Sequence, residues 1–145
     1  MAEAAVATQQ SATDRHTIAL DATVATLVGV WEAARIRRML DNLLGNAVKY
    51  SPNGGPVTAT LRRADGPDGA WAELTVADRG VGIPANDLPH IFERFHRGTN
   101  VAKRIAGSGI GLSGARQIVE QHGGAIAATS VEGQGSVFTV RLPLG

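Results

Sequence analysis

The chain has 145 residues, no cysteine and a formal net charge of +1, a length that suits one compact domain with its own core. Without cysteine it forms neither disulfides nor thiolate metal sites, and its mixed charges leave no basic stripe of the kind that binds nucleic acid. The longest apolar-looking stretch, Ala22 to Trp31, is interrupted by threonines and too short to cross a bilayer, and the first residues do not read as a signal segment.

Residues 1–14 are mostly alanine, threonine, glutamine and serine with little periodicity, the composition of a flexible lead or linker. The folded domain is expected to span residues 15–145. His16 to Leu20 alternates, and Ala25 to Val30 is short and β-prone, so two brief strands are expected there. Ala33 to Tyr50 carries the clearest helical period, with Ile36, Leu40, Leu43, Leu44, Ala47 and Val48 recurring at three and four residues on one face. Ser51 to Pro56, with two prolines and two glycines, ends that helix.

Val57 to Arg63 and Ala70 to Ala77 read as a hairpin joined by a multi-residue loop over Asp65 to Gly69. Between Asp78 and Gly109 lies more loop than a compact domain keeps without a reason, the part over about residues 86–108 being a candidate lid. Ile110 to His122 reads as a second long helix stopped by Gly123 and Gly124. Ala125 to Ser130 and Ser136 to Leu142 form a closing hairpin.

Three constellations go beyond architecture. At about 100° per residue, Arg35, Arg38, Asn42, Asn46 and Lys49 fall on one narrow stripe of the first long helix, away from the leucines. Such a stripe is usually a solvated face, but asparagine is a poor helix former, and two stacked amides followed by a lysine suit a hydrated magnesium ion and a phosphate. Asp78-Arg79-Gly80-Val81-Gly82 directly follows a strand; alone it reads as an ordinary turn, or as a loop whose carboxylate accepts from an amino group. Gly107-Ser108-Gly109-Ile110-Gly111-Leu112 opens the second long helix, where backbone N–H groups favour a phosphate. It is not a P-loop, because no lysine followed by serine or threonine completes it, and the dinucleotide-binding pattern is missing too. Ile91 to Arg97 adds two phenylalanines that need cover, and the four histidines have no ligand-like spacing.

Taken together and in this order, these segments resemble the ATP-binding catalytic domain of sensor histidine kinases, a branch of the GHKL ATPase superfamily. Leu40 to Ser51 looks like its N box, Asp78 to Gly82 its G1 box, Ile91 to Arg97 its F box and Gly107 to Leu112 its G2 box. The resemblance implies an α/β two-layer sandwich, a mixed β-sheet covered by helices on one side, with ATP held between helices under a mobile lid. It implies that Asn46 ligates magnesium, that Asn42 is a second polar group at the metal and phosphates, and that Lys49 contacts a phosphate. Tyr50 would lie beside the adenine and Asp78 would bind its amino group, with Gly80 and Gly82 shaping that wall. Gly107, Gly109 and Gly111, in the run ending at Leu112, would bound the phosphates, and Arg97 would contact one.

The implied activity is donation of the γ-phosphate of ATP to a histidine on a separate dimerisation and phosphoacceptor domain, and from there to a response regulator, in the cytoplasm. No contact of this chain with nucleic acid or membrane is expected. Trp31-Glu32 stands where the family commonly has glycine-aspartate, and Ser113-Gly114 replaces larger residues, Gly114 costing ~1 kcal/mol within a helix. None of His16, His90, His96 and His122 stands in an acceptor-like context, so the chain reads as a catalytic part that does not phosphorylate itself. Two rivals remain. One is another GHKL protein, an anti-sigma-type serine kinase or an ATPase; the other is a non-catalytic nucleotide-binding switch.

Overall fold

The computed structural model describes residues 1–22, 31–67, 69–92 and 110–144. In chain order these form α1 (Ala2–Ser11), β1 (His16–Ala22), α2 (Ala33–Lys49), β2 (Gly55–Gly66), β3 (Gly69–Asp78), a short 3-10 turn (Leu88–His90), α3 (Ile110–Gln121), β4 (Ala125–Val131) and β5 (Gly135–Pro143). The expected strand over Ala25 to Val30 and most of the candidate lid lie outside the described residues.

The five strands make one mixed sheet in the order β1-β2-β3-β5-β4. Only the β1–β2 pair is parallel, with Ile18 opposite Val57, and the remaining neighbours are antiparallel. Alternate residues Val57, Ala59, Leu74, Val76, Phe138 and Val140 point to one face and are buried, as period-two side chains on a half-covered sheet must be. Onto that face α2 lays Ile36, Met39, Leu40, Leu43, Leu44 and Ala47, and α3 adds Ala115, Ile118 and Val119. The result is the two-layer α/β sandwich, mixed sheet and one helical layer, that the sequence leads one to expect. The β2–β3 hairpin is tighter than expected, its ladder continuing to the Gly66–Gly69 pair.

Residues 2–11 are not the flexible lead expected. They form α1, with Ala5 fully buried in the core cluster and Val6 packed against it. A side-chain amide adds to this apolar contact. Gln10 Oε1 accepts from the Ile18 N–H at 2.8 Å while Gln10 Nε2 donates to the His16 carbonyl at 2.9 Å, so one side chain pairs the open edge of β1 as a neighbouring strand would. Arg37 of α2 donates to Thr8 Oγ1 at 2.8 Å. A contact made by one alanine, one valine and polar groups leaves little apolar period for sequence reading to detect.

His16 is the buried joint behind this arrangement. Its Nε2 meets the Ser51 carbonyl at 2.7 Å and Ser51 Oγ at 3.0 Å, and its Nδ1 meets Thr13 Oγ1 at 2.7 Å. Because the Ser51 carbonyl can only accept, Nε2 donates to it. His16 thereby ties the start of β1 to the residue just past α2.

Candidate functional site

The polar stripe of α2 exists as laid out. Its opposite face buries Leu43, Leu44 and Ala47, which leaves Asn42 and Asn46 half-buried and Lys49 exposed on the other side. Lys49 Nζ stands 6.0 Å from the centroid of the Tyr50 ring. The helix stops at Lys49, where the Tyr50 N–H bonds to the Asn46 carbonyl at 2.9 Å and Ser51 Oγ to the Ala47 carbonyl at 2.5 Å, the side chain taking a bond that no further turn supplies.

Helix α3 packs across α2 with the opposite direction. Glu32, at the start of α2, donates its N–H to His122 Nε2 at 3.1 Å, and Arg35 donates to Gln121 Oε1; both partners lie at the far end of α3. Further along, a side-chain carbon placed on Gly114 would lie 3.8 Å from Asn42 Nδ2. Gly114, which the sequence marks only as a cost within a helix, is therefore where α3 passes the Asn42 amide. With the helices antiparallel, the amino end of α3 and its positive partial charge face the half of α2 that carries Asn46 and Lys49. Gly111 and Leu112 lie in that first turn, Leu112 packed against the core. Arg97, Gly107 and Gly109 lie outside the described residues.

The glycine loop that follows β3 is fixed on two sides. Asp78 Oδ1 accepts from the Gly80 N–H at 2.8 Å. The Val81 N–H donates to the Tyr50 carbonyl at 2.9 Å, and the Val81 carbonyl accepts from the Gly133 N–H at 2.7 Å. At Gly80 a β-carbon would sit 2.0 Å from the Tyr50 carbonyl oxygen; at Gly82, where φ is +68°, it would sit 2.2 Å from the Val131 carbonyl oxygen. Both glycines are demanded by the close approach of the chain to itself, between the end of α2 and the β4–β5 turn. That bracing by Gly133 is invisible to a reading of the loop alone.

Asp78 is half-buried. Burial pushes its carboxyl above the ordinary carboxylate range, partly opposed by the N–H groups of Gly80 and Ser136. The carboxylate thus sits at the end of β3, tied through Gly80 to the loop that bonds to the end of α2. Ile91 is buried and Phe92 meets Phe138 edge to face at 6.2 Å, so the expected anchoring of the aromatic segment is found for those two residues; Phe95 falls outside the described residues.

Comparison with known proteins gives one consistent answer. The sequence profile of histidine kinase-, DNA gyrase B-, and HSP90-like ATPases matches residues 32–145. Sensor histidine kinase WalK of Bacillus subtilis is 39% identical over 110 residues, covering 75% of this chain and 18% of WalK. Sensor histidine kinase Hik2 of Synechocystis is 39% identical over 151 residues, covering 97% of this chain and 35% of Hik2. The chain thus spans about a fifth to a third of the length of these curated relatives. Among solved structures, the mycobacterial sensor histidine kinase MprB superposes with a TM-score of 0.80 at 29% identity, covering 98% of this chain and 91% of that one. No helix among the described residues is long and apolar enough to cross a membrane.

Proposed function

Since the chain belongs to the histidine kinase-, DNA gyrase B-, and HSP90-like ATPase family, as an ATP-binding catalytic domain of the histidine-kinase type, we propose that it binds ATP with magnesium and donates the γ-phosphate to a histidine of a separate dimerisation and phosphoacceptor domain. From that histidine the phosphoryl group passes to a response regulator, in the cytoplasm.

The observation that carries this reading is the 2.9 Å bond from Val81 to the Tyr50 carbonyl, which holds Asp78 in fixed register with the asparagines of α2. Asp78 accepts from the adenine amino group, with the Tyr50 ring beside the base and Gly80 and Gly82 forming the wall behind it. Asn46, with Asn42 one turn earlier, offers neutral amide oxygens, the donor type a hard and largely hydrated cation accepts. Magnesium so held would neutralise charge on the phosphates. Lys49, the glycines Gly107, Gly109 and Gly111, and Arg97 complete the phosphate end. Phosphoryl transfer asks little covalent chemistry of the protein, so positioning and charge carry the catalysis.

Two features favour transfer to another domain, the first over hydrolysis and the second over self-phosphorylation. Asn42 has no carboxylate with which to take a proton from water. His16 and His122 are occupied internally: His16 lies buried between Ser51 and Thr13, and His122 donates from Nδ1 to the Ile118 carbonyl at 2.8 Å while its Nε2 accepts from Glu32.

The test is incubation with γ-labelled ATP, first alone and then with a purified dimerisation and phosphoacceptor domain of a sensor histidine kinase. Acid-labile label on the partner alone, lost with Asn46→Ala, supports the reading. Stoichiometric label on the chain itself, or brisk phosphate release without a partner, overturns it.

A further inference from the structure

Asp78 does not stand alone at the end of the sheet. It lies opposite Ser136 of β5, and Ser136 lies opposite Ser130 of β4, so the three share one row across neighbouring strands. Two residues along each strand lies the row of Val76, Phe138 and Ala128, which packs in the core. At a period of two, Asp78, Ser136 and Ser130 therefore face the same side, towards the helices. Ser136 is buried and Ser130 half-buried, and the row forms a polar lip on the apolar layer.

The Ser130 hydroxyl joins the parts of this lip. It accepts from the Ile83 N–H at 2.7 Å, donates to the Gly135 carbonyl at 2.9 Å and meets Ser136 Oγ at 2.9 Å. These contacts use what one hydroxyl has, a hydrogen for the carbonyl and lone pairs for the other two. Ser136 in turn donates its backbone N–H to the Asp78 carboxyl. One side chain of β4 thus holds the far end of the glycine loop, at Ile83, and the segment of β5 that donates to Asp78. The ties of Val81 to Tyr50 and of Gly133 to Val81 run from backbone to backbone, whereas the tie at Ile83 depends on a side chain.

We propose that Ser130 is a positioning residue for adenine recognition, setting the preference for the base through Asp78 rather than by contact with the nucleotide. The proposal rests on the reading above in which Asp78 accepts from the adenine amino group. Without the hydroxyl, the Ile83 N–H loses this acceptor and Ser136 Oγ loses its partner across the strands. The loop and the β5 donor that hold the carboxylate between them are then free to shift, so Asp78 keeps its charge and loses its aim. The effect falls on the base and not on the phosphate end, where Asn46 and Lys49 stand.

The test measures, by calorimetry with magnesium, the binding of ATP and of purine riboside triphosphate, which is ATP without the amino group. The chains compared are wild type, Ser130→Ala and Ser130→Thr. Wild type is expected to prefer ATP. Ser130→Ala is expected to lose about five- to tenfold in ATP affinity, the worth of one positioned hydrogen bond, while its affinity for the analogue stays unchanged. Ser130→Thr keeps the hydroxyl and is expected to retain most of the preference. Loss of both nucleotides in equal proportion, as a general weakening of the fold would give, or an alanine variant with the full wild-type preference, would overturn the proposal. A second measurement needs no variant: the Ile83 amide is expected to exchange slowly in the nucleotide-free chain, and exchange as fast as that of Asn86 in the exposed loop would overturn it too. A wild type that binds both nucleotides equally would instead remove the role given to Asp78, and this proposal with it; a wild type that binds neither would remove the functional reading as a whole.

Discussion

The Val81 N–H donates to the carbonyl oxygen of Tyr50 at 2.9 Å, so the loop that begins at Asp78 is tied to the end of the helix that carries Asn42 and Asn46. Two segments that are separate motifs in the sequence are thereby joined in the fold.

Gly80 is the residue most exposed to that constraint. Its missing side chain leaves room for the Tyr50 carbonyl, which a β-carbon would approach to 2.0 Å. Gly80→Ala is expected to force the loop off α2, costing roughly 1–3 kcal/mol of stability and weakening ATP binding with it. Urea denaturation checks the first effect and calorimetry the second. An unchanged midpoint together with unchanged affinity would count against the packing described for this loop.

Asp78 is expected to trade stability for binding. Burial raises its carboxyl in the folded chain, so the folded state takes up a proton more readily than the unfolded one. Its contribution to stability is therefore full below the unfolded carboxylate value and is lost as pH rises through the raised folded value. At neutral pH the ionised group is a cost. Asp78→Asn keeps an oxygen for the Gly80 N–H and removes that cost, so the variant should melt higher than wild type at pH 7, the gap closing as pH falls into the carboxylate range.

The same substitution should abolish the preference for adenine. Guanine presents a carbonyl oxygen where adenine presents its amino group, and a lost hydrogen bond to a charged group is worth about 1.5–3 kcal/mol, roughly ten- to a hundredfold in affinity. Competition experiments in which GTP matches ATP on the wild-type chain would be incompatible with the role given to Asp78.

His16 is expected to matter for folding and not for phosphoryl transfer. His16→Ala removes the bonds from β1 to Ser51, which keeps the Ala47 carbonyl and the Gly54 N–H as partners, and should cost about 1 kcal/mol. Variant chain that remains folded should still label a supplied acceptor. Acid-labile phosphate found on His16 by peptide mapping would contradict this.

Most of the sheet, both long helices and the polar stripe were legible because their signals are local: leucines at helical spacing from Ile36 to Val48, alternation along β3 and β5, and glycines that close α3. What escaped depends on distant partners. Helix α1 is held by Gln10 against the edge of β1, a contact that a run of alanine, threonine and glutamine does not announce. Gly114 reads as a local defect until Asn42 is seen opposite it, and the need for Gly80 and Gly82 arises from Tyr50 and Val131.

The central claim is that magnesium-ATP is held by α2 through Asn46. The direct measurement is calorimetric titration with ATP, in magnesium and in chelator, of wild type and Asn46→Ala. Wild type should bind substantially more tightly in magnesium, and the substitution should remove most of that difference while leaving the fold intact. Equal affinities in all four titrations would contradict it.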